Sequence, residues 1–387
     1  MLSLYIHIPF CHHKCSYCSF HVIPLDGLKE SEHTSAHSPL ITNYLDALHR
    51  QIDTFSQQLQ QQSIQTIYFG GGTPSLLSEK ETFQILEKIY KQYKVSNDVE
   101  ITLECNPDDL SDEKLKELKR LEINRLSIGL QSFDDEELIW MNRAHNANQS
   151  ESSVKRAQDR GFENITIDLI YGSKFSNISN WKKTLDKVID LQVPHISSYN
   201  LTIEEKTKLG HDFKVKKEVA IDDEKSSELF LEMIDRLEKH NFIHYEISNF
   251  AKEGYFSKHN SNYWKGEHYL GLGPSAHSFD GKSRQWNIAN NNLYIKYLQE
   301  KSEIYFEKEI LTEAERYNEY ILTSLRTIWG IDINYLKTNF NTDFIKDFNS
   351  KISEYIKQET IVVKDTTYTL TEKGKLLADK IASELFV

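Results

Sequence analysis

Along the first half of the chain, short apolar or β-branched runs alternate with longer segments whose apolar residues return every three to four positions. The first pattern suits a strand buried on both faces, and the second an amphipathic helix. Strands are predicted at Leu4–Ile8, Thr66–Phe69, Val99–Glu104, Arg125–Leu130, Ile165–Ile170 and His195–Leu201. Helices are predicted between them at Leu40–Gln58, Lys80–Tyr90, Ser111–Leu121, Ser150–Arg160 and Trp181–Leu191. Repeated βα units wind around a parallel sheet, so the expected fold is α/β, a partial (β/α)6 barrel with its chemistry at the C-terminal strand ends.

Beyond Ile203 the pattern becomes mixed. A helix is expected at Lys225–His240, followed by an aromatic, histidine-rich segment from Phe242 to Phe279. A separate C-terminal module starts near Leu311, with a helix at Thr312–Trp329, a short helix near Asp343–Tyr355, a hairpin within Thr360–Leu370 and a closing helix at Thr371–Leu385. This order is that of a smaller α+β, winged-helix-like unit; the mixed charges of its last helix suit packing better than DNA reading. Low-complexity sequence is confined to Gln57–Gln62.

The 387 residues leave room for a large domain and a smaller appendage, and 11% aromatics argue against disorder. A net charge of −12 repels phosphate backbones, so nucleic acid is not an expected partner. Three of the four cysteines crowd into one short stretch, which is no disulfide framework and suits a reducing cytosol. The first strand begins almost at Met1 without a basic or apolar leader, and no stretch reaches the length of a membrane span, so a cytoplasmic protein without transmembrane segment is expected.

Cys11, Cys15 and Cys18 stand in the spacing C-x3-C-x2-C directly after the first strand. Three thiolates on one loop can hold three irons of a [4Fe–4S] cluster and leave the fourth open for a ligand. The alternative is zinc with His12, His13 or His21, although a second cysteine pair of the usual kind is missing. Gly70-Gly71-Gly72-Thr73-Pro74 follows the second strand, where glycines let a ligand approach the backbone closely. Glu104 and Gln131 end the third and fourth strands, Arg143 follows in Met141-Asn142-Arg143-Ala144-His145, and Asp168 interrupts an otherwise apolar run. A carboxylate in such a run needs a partner; the plainer readings are a salt bridge for Asp168 and a helix cap for Glu104.

The cysteine spacing, together with Tyr5-Ile6-His7-Ile8-Pro9-Phe10 before it and Ser16-Tyr17 within it, resembles the radical S-adenosylmethionine (SAM) proteins of the oxygen-independent coproporphyrinogen oxidase family. The resemblance implies a SAM site beside the cluster. The methionine amino group would lie on Gly71, Gly72 and Thr73, with Glu104 also at the methionine end. The methionine carboxylate would lie on Arg143, the ribose hydroxyls on Gln131 and Asp168, and Tyr5 and Tyr17 would line the pocket. Cluster and cofactor carry the reactivity in this chemistry, so no side chain is assigned as a general acid or base.

Within that family, the decarboxylating enzyme carries a further cysteine two residues after the third ligand, where this chain has Phe20, and an extension ahead of the first strand. His259-Asn260-Ser261-Asn262-Tyr263-Trp264 instead resembles the H-N-x-x-Y-W motif of the heme chaperone subgroup. That resemblance implies heme as a third bound group, with His259 as the iron ligand and His244, His268 and His277 as rivals. The expected function is a heme chaperone that passes heme to an acceptor protein, of which a membrane-associated respiratory enzyme would be one example, and that takes electrons from a separate donor. The alternative is an oxygen-independent coproporphyrinogen decarboxylase. The expected division is a radical SAM core with heme motif over 1–300 and a C-terminal module over 301–387.

Overall fold

Each barrel strand is apolar on one face because every second residue is Leu, Ile or Phe, and that face meets a helix whose own apolar stripe recurs at i, i+3 and i+4. The computed structural model describes residues 2–25, 39–59, 62–216, 222–301 and 305–387. Part of the Gln57–Gln62 tract, Gln60 and Gln61, lies outside the described residues.

The strands are β1 (Leu2–Ile8), the short pair β2 (Phe10–Cys11) and β3 (Ile23–Pro24), then β4 (Ser63–Gly71), β5 (Lys94–Cys105), β6 (Arg125–Gln131), β7 (Ile165–Tyr171) and β8 (His195–Asn200). β1, β4, β5, β6, β7 and β8 lie side by side in chain order and pair in parallel, with Leu4 opposite Ile67, Ile67 opposite Ile101 and Leu103 opposite Leu126. The alternation Leu4, Ile6, Ile8 in β1 and Ile165, Ile167, Leu169 in β7 is fully buried under the helices. Each such side chain contributes roughly 1.5–3 kcal/mol by leaving water.

The covering helices are α1 (Pro39–Leu59), α2 (Glu79–Gln92), α3 (Asp112–Arg120), α4 (Asp135–Trp140), α5 (Ala147–Asp159) and α6 (Ile178–Asp190). Their starts follow from local chemistry. Ser78 and Glu81 close a capping box on α2, Asn146 and Gln149 close one on α5, and Ser111 and Asn177 cap α3 and α6. These bounds fall within a few residues of the predicted ones.

The mixed segment extends the same sheet at both edges. After α7 (Lys208–Lys214) and α8 (Asp223–Lys239), β10 (Asn249–Ala251) pairs antiparallel with β8, and β9 (Ile243–Glu246) pairs antiparallel with β10 at the edge. Following α9 (Lys258–Trp264), β11 (Tyr269–Leu272) crosses to the opposite edge and pairs in parallel with β1; β12 (His277–Phe279), β13 (Ser283–Asn287) and β14 (Phe306–Ile310) then continue antiparallel, with α10 (Asn291–Lys296) between the last two. The sheet therefore counts twelve strands among the described residues, not only the six of the barrel.

The C-terminal module has its own core around Tyr317, Ile321, Phe348, Ile352 and Ile381. It comprises α11 (Glu313–Leu325), β15 (Ile331–Asp332), α12 (Ile333–Asn339), α13 (Thr342–Lys357), the hairpin β16 (Ile361–Lys364) and β17 (Thr367–Leu370), α14 (Glu372–Lys375) and α15 (Ala378–Glu384). The expected closing helix is thus two pieces, and α12 is an element that the apolar pattern did not reveal. The first predicted helix ends at Leu325, since the chain then turns to pair with the barrel: Ile247 N–H donates to the Arg326 carbonyl and Ile328 N–H to that of Tyr245, both at 3.0 Å.

Candidate functional site

The barrel strands that look continuously apolar carry a polar residue at every second position, and those positions face inward. Tyr68, Glu104, Ser127, Gln131, Asp168 and Ser197 all line one cleft of about 430 Å³ at the C-terminal strand ends. Cys11, Cys15 and Cys18 line the same cleft from the loop after β1.

That loop is stitched down by backbone contacts. Ile23 N–H donates to the Pro9 carbonyl at 2.7 Å and Leu25 N–H to the Cys11 carbonyl at 2.8 Å, which creates the β2–β3 pair. Ser16 reaches across to the end of α4, with its N–H on the Met141 carbonyl and its hydroxyl on the Trp140 carbonyl, both at 3.0 Å. Burial pushes the Cys11 thiol up to about 12 and raises that of Cys18. Thiolates in this loop therefore call for a bound cation. Among the described residues no three such side chains converge on one point as a single metal ion would require. A [4Fe–4S] cluster, three of whose irons would each take one thiolate, needs no such convergence.

The glycine run belongs to the same stitching. Gly72 N–H donates to the Ile8 carbonyl at 2.8 Å and Thr73 N–H to that of Phe10 at 2.7 Å. A Cβ at Gly72 would stand 2.4 Å from the Phe10 carbonyl oxygen, so only glycine fits there. With those N–H groups consumed, what the turn offers a ligand is acceptor oxygen, including the Thr73 hydroxyl, and an ammonium group needs acceptors.

Glu104 is held from two sides: the Tyr68 hydroxyl donates to Oε1 at 2.8 Å and Gly71 N–H to Oε2 at 3.0 Å. Burial nevertheless pushes its carboxyl up to about 7. Asp168 accepts from the Ser127 hydroxyl at 3.1 Å, and burial moves it up to about 6. Two buried carboxyls raised this way fit a cleft built to receive hydroxyl or cationic groups. Arg143 enters from the loop after α4, where Asn142 adopts φ 60°. Its guanidinium donates to the Asn106 side chain at 2.8 Å, to the Gly129 carbonyl at 2.7 Å and to the Cys15 sulfur at 3.4 Å, while its buried Nε has no partner. An orphaned guanidinium donor beside three cysteines fits a bound carboxylate. Tyr17 also lines the cleft, and Gln131, at φ 66°, turns its side chain towards Gly129. Asn106, Tyr68, Ser127 and Ser197 join the site without having been expected; the period-two polar positions were the signal that pointed to them.

Two expected residues are placed elsewhere. Tyr5 stands behind Tyr68, its ring centroid 6.1 Å away, and lines a second cavity rather than the cleft. His259, in the second position of α9, is 1% exposed and has both ring nitrogens engaged, Nδ1 with the Thr66 hydroxyl at 2.8 Å and Nε2 with the Tyr263 hydroxyl at 2.9 Å. It stacks on Tyr68 at 4.8 Å, and burial holds it neutral by moving its pKa down to about 3. In this arrangement the imidazole of His259, the residue expected as heme-iron ligand, ties α9 to the barrel interior. His244 is likewise engaged, with Ile247 and Lys375.

Comparison with known proteins agrees with this geometry. A model of the radical SAM superfamily matches residues 5–188, and one of the HemN C-terminal domain matches residues 311–377. The chain is 33% identical over 382 residues to the heme chaperone HemW of Bacillus subtilis, covering 98% of each chain. The chain belongs to the HemW family. It is also 34% identical over 276 residues to HemW of Escherichia coli, covering 71% of this chain and 69% of that one. The solved structure of coproporphyrinogen III oxidase (HemN) from Escherichia coli, a radical SAM enzyme, matches with a TM-score of 0.84 at 22% identity, covering 100% of this chain and 90% of the other; this likeness is one of fold. In this HemW-family chain every residue of the cleft's expected SAM set falls inside the segment matched by the superfamily model, whereas α9 and the β11–β14 edge lie outside both matched segments.

Proposed function

We propose that the protein is a heme chaperone that carries one [4Fe–4S] cluster and SAM and hands heme to an acceptor protein. The observation that carries this reading is the likeness over 98% of its length to proteins named heme chaperone HemW. Cys11, Cys15 and Cys18 would hold the cluster. Arg143, with its unused donor, would fork the SAM carboxylate, Thr73 and Glu104 would accept from the ammonium, and Asp168 with Gln131 would take the ribose hydroxyls. When bound, cluster and SAM supply one-electron reductive chemistry at a site that the barrel shields from water. The side chains around them bind and orient; Tyr68 and Gly71 hold the Glu104 carboxyl in place, and Asn106 holds Arg143. Tyr17 would flank the cluster.

The division into a core over 1–300 and a module over 301–387 belongs to the same reading, as do a cytoplasmic location, a separate electron donor and an acceptor such as a respiratory enzyme at a membrane. No helix among the described residues is long and apolar enough to cross a membrane. The test is anaerobic reconstitution followed by separate incubations with heme, SAM plus reductant, and coproporphyrinogen. Retained heme without decarboxylated product is expected. Product formed in proportion to SAM consumed would replace the chaperone reading by that of a decarboxylase.

A further inference from the structure

We propose that Glu246 and Asn249 are positioning residues for the SAM ribose site, which they serve by turning the Ser197 hydroxyl away from Asp168. The inference rests on the assignment of Asp168 to the ribose hydroxyls and deepens it. The four residues lie in a row across the sheet. β7, β8, β10 and β9 are neighbours in that order, and the register sets Asp168 opposite Ser197, Ser197 opposite Asn249 and Asn249 opposite Glu246. Directly opposed residues share a face, so each of the four strands contributes one side chain to the same side of the sheet. Asp168 and Ser197 line the cysteine cleft, whereas Glu246 lines a separate cavity of about 180 Å³ against the C-terminal module.

The Ser197 hydroxyl has one proton and an acceptor on either side. It donates to Asn249 Oδ1 at 2.6 Å. On its other side stands Asp168, whose carboxyl burial raises and the Ser127 and Ser197 hydroxyls draw back. Asn249 makes the choice between them. Its amide accepts at one end and donates at the other, and the Nδ2 end donates to the Glu246 carboxyl. Burial raises that carboxyl, while Asn249, the Ser248 N–H and the Arg326 cation favour its charged form. A carboxylate only accepts, so it keeps Nδ2 towards itself, Oδ1 towards Ser197 and the hydroxyl proton on Oδ1. Ser197, Asn249 and Glu246 are all buried, which keeps bulk water from exchanging with these partners.

Asp168 is thereby left with the Ser127 hydroxyl as its donor and with lone pairs open to the cleft. Ribose hydroxyls need such open acceptors. Without the Glu246 carboxylate the Asn249 amide is free to turn over. Nδ2 then faces Ser197, and the hydroxyl proton passes to Asp168, where it occupies a lone pair that ribose would use. Neither Glu246 nor Asn249 lines the cleft, so both act through Ser197.

The test is the SAM affinity of the full-length, cluster-loaded protein, measured by anaerobic equilibrium dialysis, with iron content and urea midpoint recorded for each variant. Glu246→Gln, nearly isosteric and able to accept or donate, should weaken SAM binding roughly three- to tenfold, the worth of one neutral hydrogen bond. Asn249→Ala frees the Ser197 hydroxyl by another route and should bring a similar loss. In an Asp168→Ala background neither substitution should weaken binding further, because the freed hydroxyl has no carboxylate to occupy. A merely structural role would bring the same loss in both backgrounds. Unchanged affinity in both single variants, or the same further loss in the Asp168→Ala background, overturns the proposal and leaves the ribose assignment standing. Undiminished SAM binding by Asp168→Ala itself overturns both.

Discussion

The guanidinium of Arg143 lies 3.4 Å from the sulfur of Cys15, across 128 positions of sequence. It joins the cluster loop to the loop after α4 and is held by Asn106 and the Gly129 carbonyl, with Nε left over. One side chain therefore belongs to both halves of the proposed site, the cluster ligands and the SAM carboxylate. The guanidinium keeps its charge in the cleft although burial opposes it, since Asn106, the Gly129 carbonyl and the Cys15 sulfur accept its N–H donors.

Arg143→Lys is expected to keep the charge and lose the planar fork. A charged hydrogen bond of this kind contributes about 1.5–3 kcal/mol, so SAM affinity should fall roughly 10- to 100-fold. Equilibrium dialysis under anaerobic conditions measures it, with iron content as the control; unchanged affinity would remove Arg143 from the SAM site.

Glu104 makes the stability of the ligand-free protein depend on pH. Its folded value, about 7, lies above the ordinary carboxylate value of 4.5, so the folded state holds the proton longer than the unfolded chain does. Its contribution is complete below pH 4.5 and is lost as pH rises through about 7, a change on the order of 3 kcal/mol. Asp168 acts in the same direction over a window that ends near 6. Urea unfolding from pH 5 to pH 8 should show this decline, and Glu104→Gln should flatten it while weakening SAM binding. Equal slopes in the two proteins would contradict the assignment.

Gly72→Ala places a methyl group 2.4 Å from the Phe10 carbonyl oxygen and 2.7 Å from that of Ile8. Both obstacles are backbone, so the β2 segment carrying Cys11 must move. Loss of about 1–3 kcal/mol is expected by thermal or urea unfolding, accompanied by lower iron incorporation. Normal iron content at normal stability would show that the turn does not set the position of the cluster loop.

Removal of iron by a chelator should leave Cys11 and Cys18 as protonated thiols, since burial raises both. Alkylation at pH 8 is then slow in the iron-free protein compared with a free cysteine, and accelerates as pH rises. Mass spectrometry of the labelled peptides reads this directly. Fast labelling of Cys11 at pH 8 would mean that the loop opens when the cluster leaves.

The alternation of apolar runs and amphipathic segments was enough to place the six barrel strands and their helices, since both are local periods set by one sheet face and one helix stripe. The cysteine spacing, the glycine turn and the polar residues at the strand ends were legible for the same reason, and the structure gathers Cys11, Gly72, Glu104, Arg143 and Asp168 into one cleft. The two sheet edges were not legible. β10 and β11 are strands of three and four residues that lie at opposite ends of the sheet, and which edge each joins is decided by crossing connections rather than by local pattern. His259 shows the same boundary at the scale of one side chain. Its motif could be read, but its hydrogen bond to Thr66, 193 positions away, could not. Periodicity and spacing report what a residue can do; burial and long-range partners, which only the folded chain creates, decide which lone pairs are left to do it.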